Sequence, residues 1–271
     1  MTNQHSLNDR ITEHYDRLTQ SSRRVAEYLQ GNPEKILMLS TGEIADACQV
    51  SKTSVSRFIR QLGYDDHVAL RQELMTEREK GTPILTTTIE DPSIRHEMTA
   101  LEQLWNQLAV MDTKPLIDSM INAKRVVVIG YRNSYPLAMH FRQQLMQCRD
   151  NVSLLPLPGQ TLGEDISMLN DDDFVILMGI RRRVEHFGRL VEFLQGKPSL
   201  LITDQSGQQY ANKFEHVLIC HMNNQAPLDS YAVPMSLISY LVNKVYRQLG
   251  SNAVKQSRNI SHSYAALREV E

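Results

Sequence analysis

Two stretches of this chain carry side chains whose types and spacing suit recognition chemistry. The first is "SKTSVSRFIRQLG", residues 51–63. On helical spacing, Val55, Phe58, Ile59 and Leu62 share one side. Ser51, Lys52, Thr53, Ser54, Ser56, Arg57 and Arg60 take the others, and no acidic residue interrupts them. Residues 1–80 hold 11 Lys+Arg against 12 Asp+Glu, so this cationic side stands out from a balanced background. Hydroxyls, Lys and Arg on a helix anchored by its apolar side are what reading a DNA major groove requires. The alternative is a solvated basic face on a plain helical bundle.

The second stretch is "MGIRRRVEHF", residues 178–187. An apolar run meets a glycine, and Arg181, Arg182 and Arg183 follow together. The pattern predicts a helix from 184 to 194, which puts three cations at the partly positive end of a helix dipole. A bound phosphate or carboxylate would compensate, because guanidinium grips both through paired hydrogen bonds. Salt bridges to Glu164, Asp165 or Glu185 would also compensate.

The elements that must position these residues follow from periodicity and turn signals. Before residue 80 only helical patterns occur: 6–17, a helix capped by Thr19, a short turn near "PEKILML", a capping box of Ser40 and Glu43, the basic helix capped by Ser51, and 66–79. Gly81, Pro83, Pro92 and a threonine cluster mark a linker at 81–92. Beyond it, helices at 93–111 and 113–123 lead into Val/Ile/Leu-rich strands ("KRVVVIG", "VSLLP", "DFVILMG", "PSLLITD", "EHVLIC") that alternate with helices. Continuous apolar strands of this kind predict a parallel sheet covered on both faces. The last element is a long helix at 231–249, with Asp229 or Ser230 as its cap. The expected domains are therefore a helical 1–80, a linker 81–92 and an α/β 93–271.

The totals exclude several classes. Net charge is −2, so nucleic-acid binding needs a local patch. Three widely spaced cysteines, Cys48, Cys148 and Cys220, give no zinc or disulfide pattern. His216 and His221 fall on opposite faces of a strand, so neither a metal nor a cofactor is expected. The polar N-terminus has no secretory pattern and no apolar run approaches the ~18 residues of a membrane span, so the expected location is the cytoplasm.

The stretch "LTQSSRRVAEYLQGNPEKILMLSTGEIADACQVSKTSVSRFIRQLGYDDHVALRQEL", residues 18–74, resembles the N-terminal domain of the RpiR/MurR family of bacterial transcriptional regulators. "AKRVVVIGYRNSYPLAMHFRQQL", residues 123–145, is similar to the opening of the sugar-isomerase-type (SIS) domain that follows in that family. The resemblance implies a DNA-binding helix-turn-helix, a sensor of phosphorylated sugars, and Ser134 as a phosphate ligand. Gly130 ends the first strand, and Asn133 and Ser134 open the next helix, as ligands or merely as caps. The third strand departs from the family. Its following loop is usually rich in Ser and Thr, and here carries the three arginines. Glu164 is placed near the same mouth, as ligand contact or arginine partner.

The expected protein is a regulator and not an enzyme. It binds a double-stranded operator as a homodimer or homotetramer and senses an anionic small molecule. The rival is a sugar-phosphate isomerase with an accessory helical domain.

Overall fold

The computed structural model describes residues 7–32, 35–80, 94–222 and 228–270. The expected linker at 81–92 lies outside them. The chain resolves into two compact units, one built before residue 81 and one from residue 94 onward.

The first unit is all helical: α1 (Leu7–His14), α2 (Gln20–Gly31), α3 (Lys35–Met38), α4 (Thr41–Ala47), α5 (Lys52–Gln61) and α6 (His67–Lys80). Its boundaries are set by side-chain caps. The Thr19 Oγ1 accepts from the Ser22 amide at the start of α2. Ser40 and Glu43 form the reciprocal capping box at α4. One core gathers Ile11, Val25, Leu29, Ile36, Ile44, Val55, Phe58, Ile59 and Leu70.

The second unit opens with α7 (Ile94–Val110) and α8 (Lys114–Asn122). It continues with β1 (Arg125–Gly130), α9 (Ser134–Met146), β2 (Val152–Leu155), α10 (Gly163–Ser167), β3 (Asp173–Gly179) and α11 (Phe187–Leu194). Then come β4 (Ser199–Thr203), a 3-10 segment (Gln205–Lys213), β5 (His216–Ile219), α12 (Ala232–Leu249) and α13 (Ser251–Leu267). All strand pairs are parallel, in the order β2-β1-β3-β4-β5. Alternate residues of each strand feed two cores. Val126, Val128, Ile176 and Ile202 face α7, α8, α9 and α12, while Val127, Ile129, Leu177 and Leu201 face α10 and α11.

Three elements differ from the sequence reading, the first being the 3-10 segment Gln205–Lys213, for which no element was expected. α11 starts at Phe187, three residues later than expected, which leaves all three arginines in the loop ahead of it. α13 was not anticipated: of its side chains only Ala253 is buried, so it carries little apolar periodicity. Trp105 on α7 leaves Leu104 and Leu108 to the sheet and stacks edge-on against Tyr240 at 5.8 Å, 45% exposed. Among the described residues no helix is long and apolar enough to cross a membrane.

Candidate DNA-reading helix and anion site

The turn between α4 and α5 is tight. Gln49 adopts a left-handed conformation (φ 54°), and the Val50 amide donates to the Ala45 carbonyl at 2.9 Å. Ser51 then caps α5, its Oγ accepting from the Ser54 amide at 3.1 Å. Val55, Phe58, Ile59 and Leu62 are buried and fix the helix to its scaffold. A Ser22 hydroxyl bond to Gln61 at 3.1 Å joins α2 to the end of α5. Ser51, Lys52, Thr53, Arg57 and Arg60 are exposed, and Ser54 and Ser56 partly so. Arg60 spends its Nε on the Asp65 carbonyl at 3.4 Å. Among the described residues Lys52 and Arg57 make no ion pair. The cationic side is therefore open to solvent and the apolar side is not.

In the second unit the strand order creates one place where the chain departs in opposite directions. From β1 it passes through α9 on one face to β2, and from the neighbouring β3 through α11 on the other face to β4. The carboxyl ends of β1 and β3 therefore flank a crevice of the kind in which open α/β sheets hold ligands. Both sequence-predicted loops border it. Gly130 lets α9 approach closely, since a Cβ there would come within 2.9 Å of the Ala138 Cβ. Ser134 is buried, and its Oγ accepts from the Ile180 amide at 3.2 Å, so this hydroxyl ties the two loops together. Asn133 does not cap α9 either; its Nδ2 donates to the Tyr231 hydroxyl at 2.9 Å. Tyr131 meets His186 edge-on at 5.0 Å across the same gap.

Two of the three arginines, Arg181 and Arg183, are compensated by carboxylates that the sequence reading did not pair with them. Arg183 donates to the Gly179 carbonyl, to Thr203, to Ser206 and to Asp204, the last at 2.9 Å. Its side chain is 14% exposed and that of Asp204 is 5% exposed. Asp204 also accepts from the Arg181 amide at 2.6 Å and the Ser206 amide at 2.9 Å. The Arg181 guanidinium pairs with Asp229 at 2.8 and 3.1 Å. Arg182 is exposed. Glu164 is no partner of these groups. It is exposed and accepts from the Thr161 hydroxyl at 2.8 Å; that bond, with its own backbone amide, holds its carboxyl below the usual range. Asp229 is thereby a counter-ion and does not cap α12, while Ser230 Oγ accepts from the Ala232 amide at 3.3 Å.

Arg132, also exposed and held in a left-handed conformation (φ 52°), is a cation of the β1 loop that sequence reasoning passed over. Among the described residues no group of three or more His, Cys, Asp or Glu is placed to hold a metal. Burial pushes the Cys148 thiol up to about 11 and that of Cys220 to about 12, so neither is a ready thiolate at neutral pH.

Fold and crevice together define a helix-turn-helix unit joined to a parallel α/β unit of SIS type. Residues 5–81 match the family described as helix-turn-helix domain, rpiR family, and residues 119–244 match the SIS domain. The chain belongs to the rpiR family of helix-turn-helix proteins that carry a SIS domain. It is 24% identical over 191 residues to the uncharacterized HTH-type transcriptional regulator YfhH of Escherichia coli, spanning 65% of this chain and 67% of that one. To HexR of Pseudomonas aeruginosa it is 28% identical over 157 residues, 55% of each chain. Among solved structures, Vibrio vulnificus NanR complexed with ManNAc-6P has a similar fold: TM-score 0.54, 15% identity, 97% of this chain and 99% of that one. The sugar isomerase domain of an RpiR transcription factor from Sphaerobacter thermophilus gives a TM-score of 0.55 at 18% identity over 62% and 97%.

Proposed function

We propose that this chain is a DNA-binding transcriptional regulator in which α5 reads an operator and the β1/β3 crevice receives an anionic metabolite, a sugar phosphate or another acidic small molecule. The observation that carries the reading is the division of α5 into a buried apolar side and an exposed side bearing Lys52, Thr53, Arg57 and Arg60. An isomerase has no need of such a helix. The regulators YfhH and HexR support it as relatives, and NanR, complexed with ManNAc-6P, supports the choice of ligand class.

The division of labour follows the expected domains, with 1–80 binding DNA and 93–271 sensing and assembling. A homodimer or homotetramer in the cytoplasm would meet an operator of matching two-fold symmetry. The effector acts by binding DNA-competent and DNA-incompetent arrangements unequally. Arg181, Arg182, Arg183, Asn133, Ser134 and the backbone around Gly130 form the walls of the effector site. Asp204 and Ser134 hold those walls in place.

Genomic footprinting of the purified protein tests the DNA reading and supplies an operator. On that operator, Arg57→Ala weakens specific binding by about 1–3 kcal/mol if it contacts a base edge. Lys52→Ala lowers the salt slope of binding by about 1 if it contacts a phosphate. Unchanged affinity and slope in both variants would remove α5 from the interface.

A further inference from the structure

The two crevice loops are tied to a third segment as well as to each other. Asp229 accepts from Arg181, in the loop after β3, at 2.8 and 3.1 Å. Two residues on, the Tyr231 hydroxyl accepts from Asn133, in the loop after β1, at 2.9 Å. Residues 229–231 therefore fasten to both sides of the crevice immediately before α12.

The two arginine–aspartate pairs at this site are built differently. Asp204 is 5% exposed, and it is bonded by two backbone amides as well as by Arg183. That pair is framework. Asp229 and Arg181 are 22% and 21% exposed. Among the described residues Asp229 has no partner but Arg181, and the Arg181 guanidinium bonds only through Nη2. An aspartate carboxylate offers Arg181 the same two-oxygen anion that an acidic ligand would.

We infer that Asp229 is a resident stand-in for the effector's anionic group: an acidic metabolite exchanges with Asp229 on Arg181, and the 229–231 segment leaves the crevice as the ligand enters. The inference rests on the reading that the crevice takes an anion. A freed Asp229 that stayed beside the ligand would repel it, so the exchange requires the segment to move. Because that segment runs directly into α12, ligand entry is coupled to a main helix of the unit. A mono-anion merely replaces one negative charge by another. A ligand carrying a phosphate and a carboxylate brings a further charge for the exposed Arg132, so this is the favoured class.

The test is calorimetric titration of the full-length chain with inorganic phosphate, glucose 6-phosphate and 6-phosphogluconate at constant ionic strength. Asp229→Asn binds 6-phosphogluconate about tenfold more tightly than wild type, the worth of one charge-assisted hydrogen bond. Tyr231→Phe, which leaves every charge in place, shifts affinity in the same direction and carries the test if Asp229→Asn is poorly folded. Adding Arg181→Ala to either variant removes the gain. If wild type binds and neither variant binds more tightly, the exchange is overturned and the anion site stands. If neither wild type nor the variants bind any of the three anions, the anion site itself is overturned, and the exchange with it.

Discussion

Arg181 and Arg183 are two residues apart and chemically identical, yet their surroundings give them different jobs. Arg183 is a largely enclosed strut: it bonds the end of β3, the end of β4 and the segment after β4, with a carboxylate only 5% exposed. Removing one partner of such a pair leaves the other charge buried and unpaired. Arg183→Ala therefore costs about 3 kcal/mol of stability. Arg181→Ala, which opens a partly exposed pair, costs under about 1 kcal/mol. Urea denaturation of the two variants checks the ranking, and equal losses would contradict it. The sequence signalled that three adjacent cations needed compensation. It could not name Asp204 and Asp229, which lie 21 and 48 residues from their partners.

At the scale of elements, the sheet is pinned at the end opposite the crevice. Arg125 at the start of β1 bonds both oxygens of Asp173 at the start of β3, at 3.2 and 2.6 Å, and reaches the Met168 carbonyl at 3.1 Å. Burial pulls the Asp173 carboxyl upward. The Arg125 bond, the Asn170 amide and the nearby cations outweigh that and hold it below its usual range. Its ionised form is thus favoured by folding, so the stability it contributes is present above the unfolded value of about 3.9 and is lost as pH falls through the lower folded value. Asp173→Ala leaves Arg125, 27% exposed, within reach of water, so it costs about 1 kcal/mol near neutrality. The loss should shrink as wild type is acidified below pH ~4, and a constant loss across that range would refute the assignment. The caps that delimit α2, α4 and α5 were legible as Thr19, Ser40 with Glu43, and Ser51, because a cap is a contact between near neighbours. α13 was not, because almost none of it is packed.

For the whole molecule, among the described residues each unit contains one histidine that folding disfavours in its charged form. Burial lowers the pKa of His67 in the helical unit, helped by Arg71. Burial also lowers that of His216 at β5, against a weaker opposing pull from Glu215. Above the unfolded value of about 6.5 both states are neutral and nothing is gained or lost. As pH falls through that value the unfolded chain binds protons that the folded chain does not, and stability drops. Denaturation midpoints should therefore decline between pH 7.5 and 5.5, well before the Asp173 window. A flat profile in that range would contradict both shifts, and His216→Phe should flatten the second unit's share.

By itself the sequence determined the two-part plan, the helix-turn-helix and its cationic side, and the parallel strands. These depend on periodicity and caps, which act over a turn of helix or alternate residues of a strand. Only the tertiary structure decided which carboxylates face the arginines, that Ser134 bonds Ile180 instead of standing free, and that Tyr231 reaches back to Asn133. Those pairings join residues 21 to 98 positions apart. They exist because the strand order brings the ends of β1, β3 and β4 side by side, and no local pattern encodes that adjacency.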